Sequence, residues 1–157
     1  MPKKGSDLNH RAAFLYSRVC AVLAVLIAWP VMAQAPALIV QDAWTRQVPG
    51  SDVAAVYLTL RNPTSKPITI VGVESPIASH AMIHETKTES GQSRMRPHQQ
   101  LVVAAGETLK LQPGGMHVML HVVTRPAAVG QSVPLVLSLG DGNKVQVAAT
   151  VRPLNAQ

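Results

Sequence analysis

The chain has 157 residues, a formal net charge of +6, 47% apolar residues and a single cysteine. That length supports one domain with a core of its own. Beyond residue 35 the chain carries ten Lys+Arg against seven Asp+Glu, a net +3 too mild and too scattered for a nucleic-acid binder.

The first segment, "MPKKGSDLNHRAAFLYSR", sets Lys3, Lys4, Arg11 and Arg18 against Asp7 alone, and "VCAVLAVLIAWPVM" follows as an unbroken apolar run. The run closes on Ala33-Gln34-Ala35, a small-x-small pattern. Charged head, apolar middle and cleavage site in that order predict a secretory signal peptide over residues 1–35, cut after Ala35. The run is shorter than the ~20 residues a spanning helix needs, so no stable membrane insertion is expected after cleavage. Cys20 opens the apolar run, whereas a lipidated cysteine would follow it, and cleavage removes it. Residues 36–157 then contain no thiol. A blue-copper electron carrier and a thiol–disulfide oxidoreductase both need one.

From residue 36 the chain reads as β throughout. Predicted strands cover 37–47, 54–62, 67–75, 80–88, 100–104, 108–112, 116–123, 133–139 and 145–152. Each is short, rich in Val, Ile, Leu or Thr, and bounded by turn residues such as "NPTSKP", "SGQS", "PGG" and "GDGN". Asp141-Gly142 marks a hairpin. No stretch carries helical periodicity with caps. Nine such strands predict one antiparallel β-sandwich or Greek-key barrel. Trp44 and Tyr57 are expected in its core.

The chemistry is concentrated in one region. All five histidines of residues 36–157 (His80, His84, His98, His117, His121) and all four methionines (Met82, Met95, Met116, Met119) lie between positions 80 and 121. Side chains at i and i+2 of a strand share a face. "MHVML" therefore puts His117 and Met119 on one face and Met116, Val118 and Leu120 on the other, which reads as core. "HAMIH" likewise groups His80, Met82 and His84. "SRMRPH" adds Met95 from a loop or strand end, flanked by Arg94 and Arg96, which read as a solvated strand face. Imidazole is a borderline ligand and thioether a soft one. Together, with no carboxylate on the same face, they favour copper, and Cu(I) above all. Zinc would prefer cysteine, histidine or carboxylate, and calcium or magnesium oxygen.

At this point the residues resemble a known family. His84, ten residues, Met95, twenty-one residues, then His117-x-Met119 reproduces the spacing H-x10-M-x21-H-x-M of the periplasmic copper chaperones called PCu(A)C. "DAWTR", "AAVYLTLRN", "VGVESP", "PGGMHVMLH" and "VPLVLSL" are similar as well, over nearly all of residues 36–157. The resemblance implies a cupredoxin-like β-sandwich holding one Cu(I) through His84, Met95, His117 and Met119. It implies a periplasmic carrier serving cytochrome c oxidase assembly at the dinuclear copper site. The partners would be a copper-accepting oxidase subunit and a thioredoxin-like copper assembly protein. Two features depart from family variants: no thioether follows His84 directly, and residues 122–157 contain no His or Met of the kind that makes up the C-terminal extension of some members. His80, Met82, His98 and His121 fall outside the motif and are expected to be solvated. Three alternatives stand beside the carrier: copper buffering or resistance with the same site, a non-metal adhesion or assembly sandwich, and a metal hydrolase. The last lacks a base beside the metal, since Glu85 should face away from His84, so no enzyme is expected.

Overall fold

Ten strands build the fold: β1 (Ile39–Arg46), β2 (Val53–Arg61), β3 (Ile68–Glu74), β4 (Ala78–Glu89), β5 (Gln92–His98), β6 (Leu101–Val103), β7 (Thr108–Leu111), β8 (Met116–Val123), β9 (Ser132–Leu139) and β10 (Lys144–Arg152). They come from a computed structural model that describes residues 38–46 and 50–155. The expected signal peptide and Cys20 lie outside the described residues. No helix occurs among the described residues.

The strands follow one path of hydrogen-bonded neighbours, β5-β4-β8-β2-β1-β10-β9-β3-β6, with β7 beside the far half of β2. β2 shows why the path folds into layers around a core. Ala54, Val56, Leu58 and Leu60 are buried, while Ala55, Tyr57 and Thr59 alternate with them on the other face. The same alternation buries Ile83 on β4, Val118 and Leu120 on β8, and Val133, Leu135, Leu137 and Leu139 on β9. These side chains form one hydrophobic cluster with Leu38, Ile70, Val103 and Val151. The expected all-β sandwich is present. Its pairing is not wholly antiparallel, because β1 runs parallel to β10 with Trp44 opposite Thr150 and Arg46 opposite Arg152. Within β1 the register against β2 shifts between Gln41 and Trp44, where Asp42 has φ 50°. That bulge sets which face Trp44 occupies.

Buried polar groups are tied to backbone. Asn62, fully buried, donates through Nδ2 to the carbonyls of Lys66 (2.7 Å), Val103 (3.0 Å) and Ala104 (3.0 Å). Its Oδ1 accepts from the backbone N–H (3.0 Å) and hydroxyl (2.8 Å) of Thr64. The end of β2 is thereby fixed to the loop after β6.

β5 is the strand that the sequence does not announce. Gln-Ser-Arg-Met-Arg-Pro-His has no β-branched residue, and almost all of it is exposed. It is a strand because the turn dictates it. Ser90 (φ 52°) and Gly91 (φ 79°) are both left-handed, as a two-residue primed turn requires, and Glu89 pairs with Gln92 across it. Pro97 is tolerated because β5 is an edge strand. Met95 therefore stands mid-strand in β5, not in a loop.

Candidate metal-binding face

The register between β4 and β8 assembles the unusual residues in rows. His84 faces His117, Met82 faces Met119, and His80 faces His121. On the other side of β4, Thr86 faces Met95 and His84 faces Pro97. Residues opposite one another in a ladder share a face, as do i and i+2 along a strand. His80, Met82, His84, Met95, His117, Met119 and His121 therefore occupy one face. Ile83, Val118 and Leu120 point the other way into the core. All four motif positions lie on this common face. The rings of His84 and His117 stand edge to face with centroids 6.1 Å apart. Met119 follows His117 on β8 and is partly buried, while Met95 is 57% exposed at the rim.

Each imidazole is held differently. His117 is only 5% exposed. Its Nδ1 lies 3.1 Å from the Gly115 carbonyl, which can only accept, so Nδ1 carries the proton. Nε2 is thereby left with its lone pair available, the orientation that backbone carbonyls impose on metal-ligating histidines. Among the described residues the Nδ1 of His84 is buried without a hydrogen-bond partner. A buried nitrogen in that condition costs stability unless something occupies its lone pair. Burial, and then the neighbouring imidazoles of His117, His121 and His98, holds His84 below the ordinary histidine pKa. Its ring is thus kept neutral, the form a metal ligand needs. Among the described residues no three His, Cys, Asp or Glu side chains converge as a ready ligand cluster, so a full donor set here would draw on the thioethers.

The face extends further than the sequence pattern suggested. Tyr57 lies 6.2 Å from the His117 ring and 4.6 Å from Trp44. The Arg46 and Arg152 guanidiniums each sit 4.8 Å from the Trp44 ring. Trp44 and Tyr57 are therefore not core residues. They are half-buried side chains on the histidine face, with Tyr57 covering His117. The parity of β2 carried this signal, since Tyr57 is in phase with Ala55 and out of phase with the buried leucines. His98 belongs to the opposite side, where its Nε2 lies 3.0 Å from Glu85. That hydrogen bond, with help from Lys87, holds the Glu85 carboxyl below its usual range. Glu85 thus faces away from His84. Arg96 pairs with Glu89 at 3.3 Å, also off the histidine face.

A family described as "Putative lipoprotein LpqE-like" matches residues 38–151. The chain belongs to the LpqE-like family. A protein of Leifsonia xyli subsp. xyli (strain CTCB07) described as "Putative lipoprotein Lxx21020" is 34% identical over 120 residues, 76% of this chain and 72% of its own. The solution structure of CuI-DR1885 from Deinococcus radiodurans is 39% identical, with a TM-score of 0.59 over 76% of this chain and 81% of that one. The copper-bound PCuAC domain from PmoF2 superposes with a TM-score of 0.64 at 19% identity, over 75% of this chain and 94% of that domain. The last match supports the cupredoxin-like fold alone. The LpqE-like match over residues 38–151 takes in His84, Met95, His117 and Met119.

Proposed function

We propose that this LpqE-like protein is a Cu(I) carrier of the PCuAC type. In this reading residues 1–35 are a cleaved signal peptide, residues 36–157 are the copper domain, and the site of action is the periplasm. One Cu(I) is held by His84, Met95, His117 and Met119. The observation that carries the reading is the register pair His84–His117. One ring is locked in the tautomer that frees Nε2, and the other keeps a buried, unpartnered Nδ1. A metal about 2.0 Å from each nitrogen allows ligating ring centroids to stand up to about 6.4 Å apart, and 6.1 Å is within that span. The Cu(I)-bound relative from Deinococcus radiodurans supports the choice of metal.

The donor set explains carriage rather than catalysis. Two neutral imidazoles and two neutral thioethers suit soft Cu(I) and need no thiolate, which an oxidising compartment would consume. Met95 at the exposed rim is the ligand an acceptor would displace first, opening a ligand-by-ligand route out. The acceptor in this reading is a copper-accepting oxidase subunit at the dinuclear site of cytochrome c oxidase, working with a thioredoxin-like assembly protein. The test is a Cu(I) competition titration against a colorimetric chelator. It uses the full chain carrying Cys20→Ser, beside a His117→Ala, Met119→Leu double variant. One tightly held equivalent, lost in the variant, is expected. Absence of Cu(I) binding in the parent chain overturns the carrier reading.

A further inference from the structure

The third row of the histidine face is not needed by the four-ligand site. His80 and His121 face each other across β4 and β8, with ring centroids 6.4 Å apart. They stand four residues along their strands from His84 and His117, some 13 Å of backbone by the strand rise. His80 is exposed and His121 half-buried. Among the described residues neither imidazole makes a side-chain hydrogen bond or ion pair, so both rings have donor nitrogens to spare. Because His80 is exposed, water can complete a coordination sphere there.

The spacing admits one shared ion, and the donor type selects it. With metal–nitrogen bonds of about 2.0 Å and each ring centre about 1.2 Å behind its nitrogen, two rings on one metal at the tetrahedral angle have centroids about 5.2 Å apart. Rings trans to each other have centroids about 6.4 Å apart. The His80–His121 separation of 6.4 Å is within reach of one shared metal. Two imidazoles completed by water are a nitrogen–oxygen donor set, the preference of Cu(II), which also leads the divalent ions in affinity for such donors. We infer that His80 and His121 form a second metal site that takes Cu(II), beside and distinct from the His84–His117 position. His121 also lies 5.8 Å from the His84 ring, so the two positions adjoin through one imidazole contact.

The experiment fills the first position with one equivalent of Ag(I), a redox-inert stand-in for Cu(I), in the full chain carrying Cys20→Ser. Cu(II) is then titrated and followed by electron paramagnetic resonance. One Cu(II) per chain is expected, with a tetragonal signal and hyperfine structure from two nitrogens. In His80→Asn, a change at an exposed position, Cu(II) affinity should fall at least about tenfold, a loss of ~1.4 kcal/mol. Ag(I) uptake should stay within about threefold of the parent. His121→Asn should give the same loss of Cu(II). No Cu(II) uptake by the parent chain, or an unchanged signal in both variants, overturns the inference. Failure of Ag(I) to bind while the His80-dependent Cu(II) signal persists would count against the Cu(I) carrier and leave the second site standing.

Discussion

Acidification should act on this protein through His84, and the size of the effect can be bounded. His84 in the fold is held below the ordinary histidine value, first by burial and then by His117, His121 and His98. In the unfolded chain it titrates near about 6.5. As pH falls through that value the unfolded chain takes up a proton that the folded chain refuses. Stability is therefore highest above pH 6.5 and declines below it, until the folded-state value is reached. Between pH 7.5 and 5.5 this one group can remove at most about 1.4 kcal/mol, the free energy of protonating the unfolded imidazole. The assay is urea unfolding of the metal-free protein at the two pH values, with His84→Asn alongside. The wild type should lose more stability than the variant, by no more than that bound. Proton NMR of the ring should place its midpoint below 6.5, and His121→Asn should raise it part of the way. In the proposed carrier the same refusal of a proton would protect the metal. An imidazole of ordinary pKa would weaken Cu(I) binding about fourfold between pH 7.5 and 6.0, and His84 should contribute less than that. A His84 midpoint at or above 6.5, or equal losses in wild type and variant, would refute the reasoning.

Other outcomes follow from particular contacts. Trp44 reaches His117 through Tyr57, so in a chain carrying Trp29→Phe its fluorescence should drop as Cu(I) is titrated in, and Tyr57→Leu should weaken that response. Met95→Leu should lower Cu(I) affinity by about tenfold. Its effect on urea stability should stay within about 0.5 kcal/mol, because the side chain is 57% exposed. Asn62→Ala leaves the buried Val103 carbonyl and the partly buried bond to the Ala104 carbonyl without their donor and should cost about 3 kcal/mol in the same unfolding assay. Gly91→Ala places a Cβ at φ 79° with open space around it, so the cost is backbone strain alone, about 1 kcal/mol. A looser β5 should weaken Cu(I) binding through Met95.

Where alternation was regular, the sequence was readable. In β8 the pattern Met-His-Val-Met-Leu-His separates His117, Met119 and His121 from Val118 and Leu120 without any tertiary knowledge. β5 was not readable, because its residues have no strand preference and its pairing is imposed by the positive-φ turn at Ser90-Gly91. Trp44 and Tyr57 were misplaced for a different reason. Large aromatic residues in strands are expected inside, yet here the bulge at Asp42 and the parity of β2 carry both to the outer face. Nor could spacing show that Gly115, two residues before His117, supplies the carbonyl that fixes its tautomer.

The core and the histidine face are alternate sides of the same two strands, and this ties alignment of the candidate ligands to hydrophobic burial. A slip of β8 by one residue against β4 would bring Val118 opposite His84 and turn His117 inward. The same slip would expose Leu120 and Val118, now 0% and 1% exposed. Losing the burial of two such side chains costs about 3–6 kcal/mol, before the penalty of an imidazole in the core is counted. No copper is needed to hold His84 opposite His117; the apolar residues between them do so. In the proposed carrier the rows would therefore be in place before the metal arrives, so that the cargo could leave without unfolding.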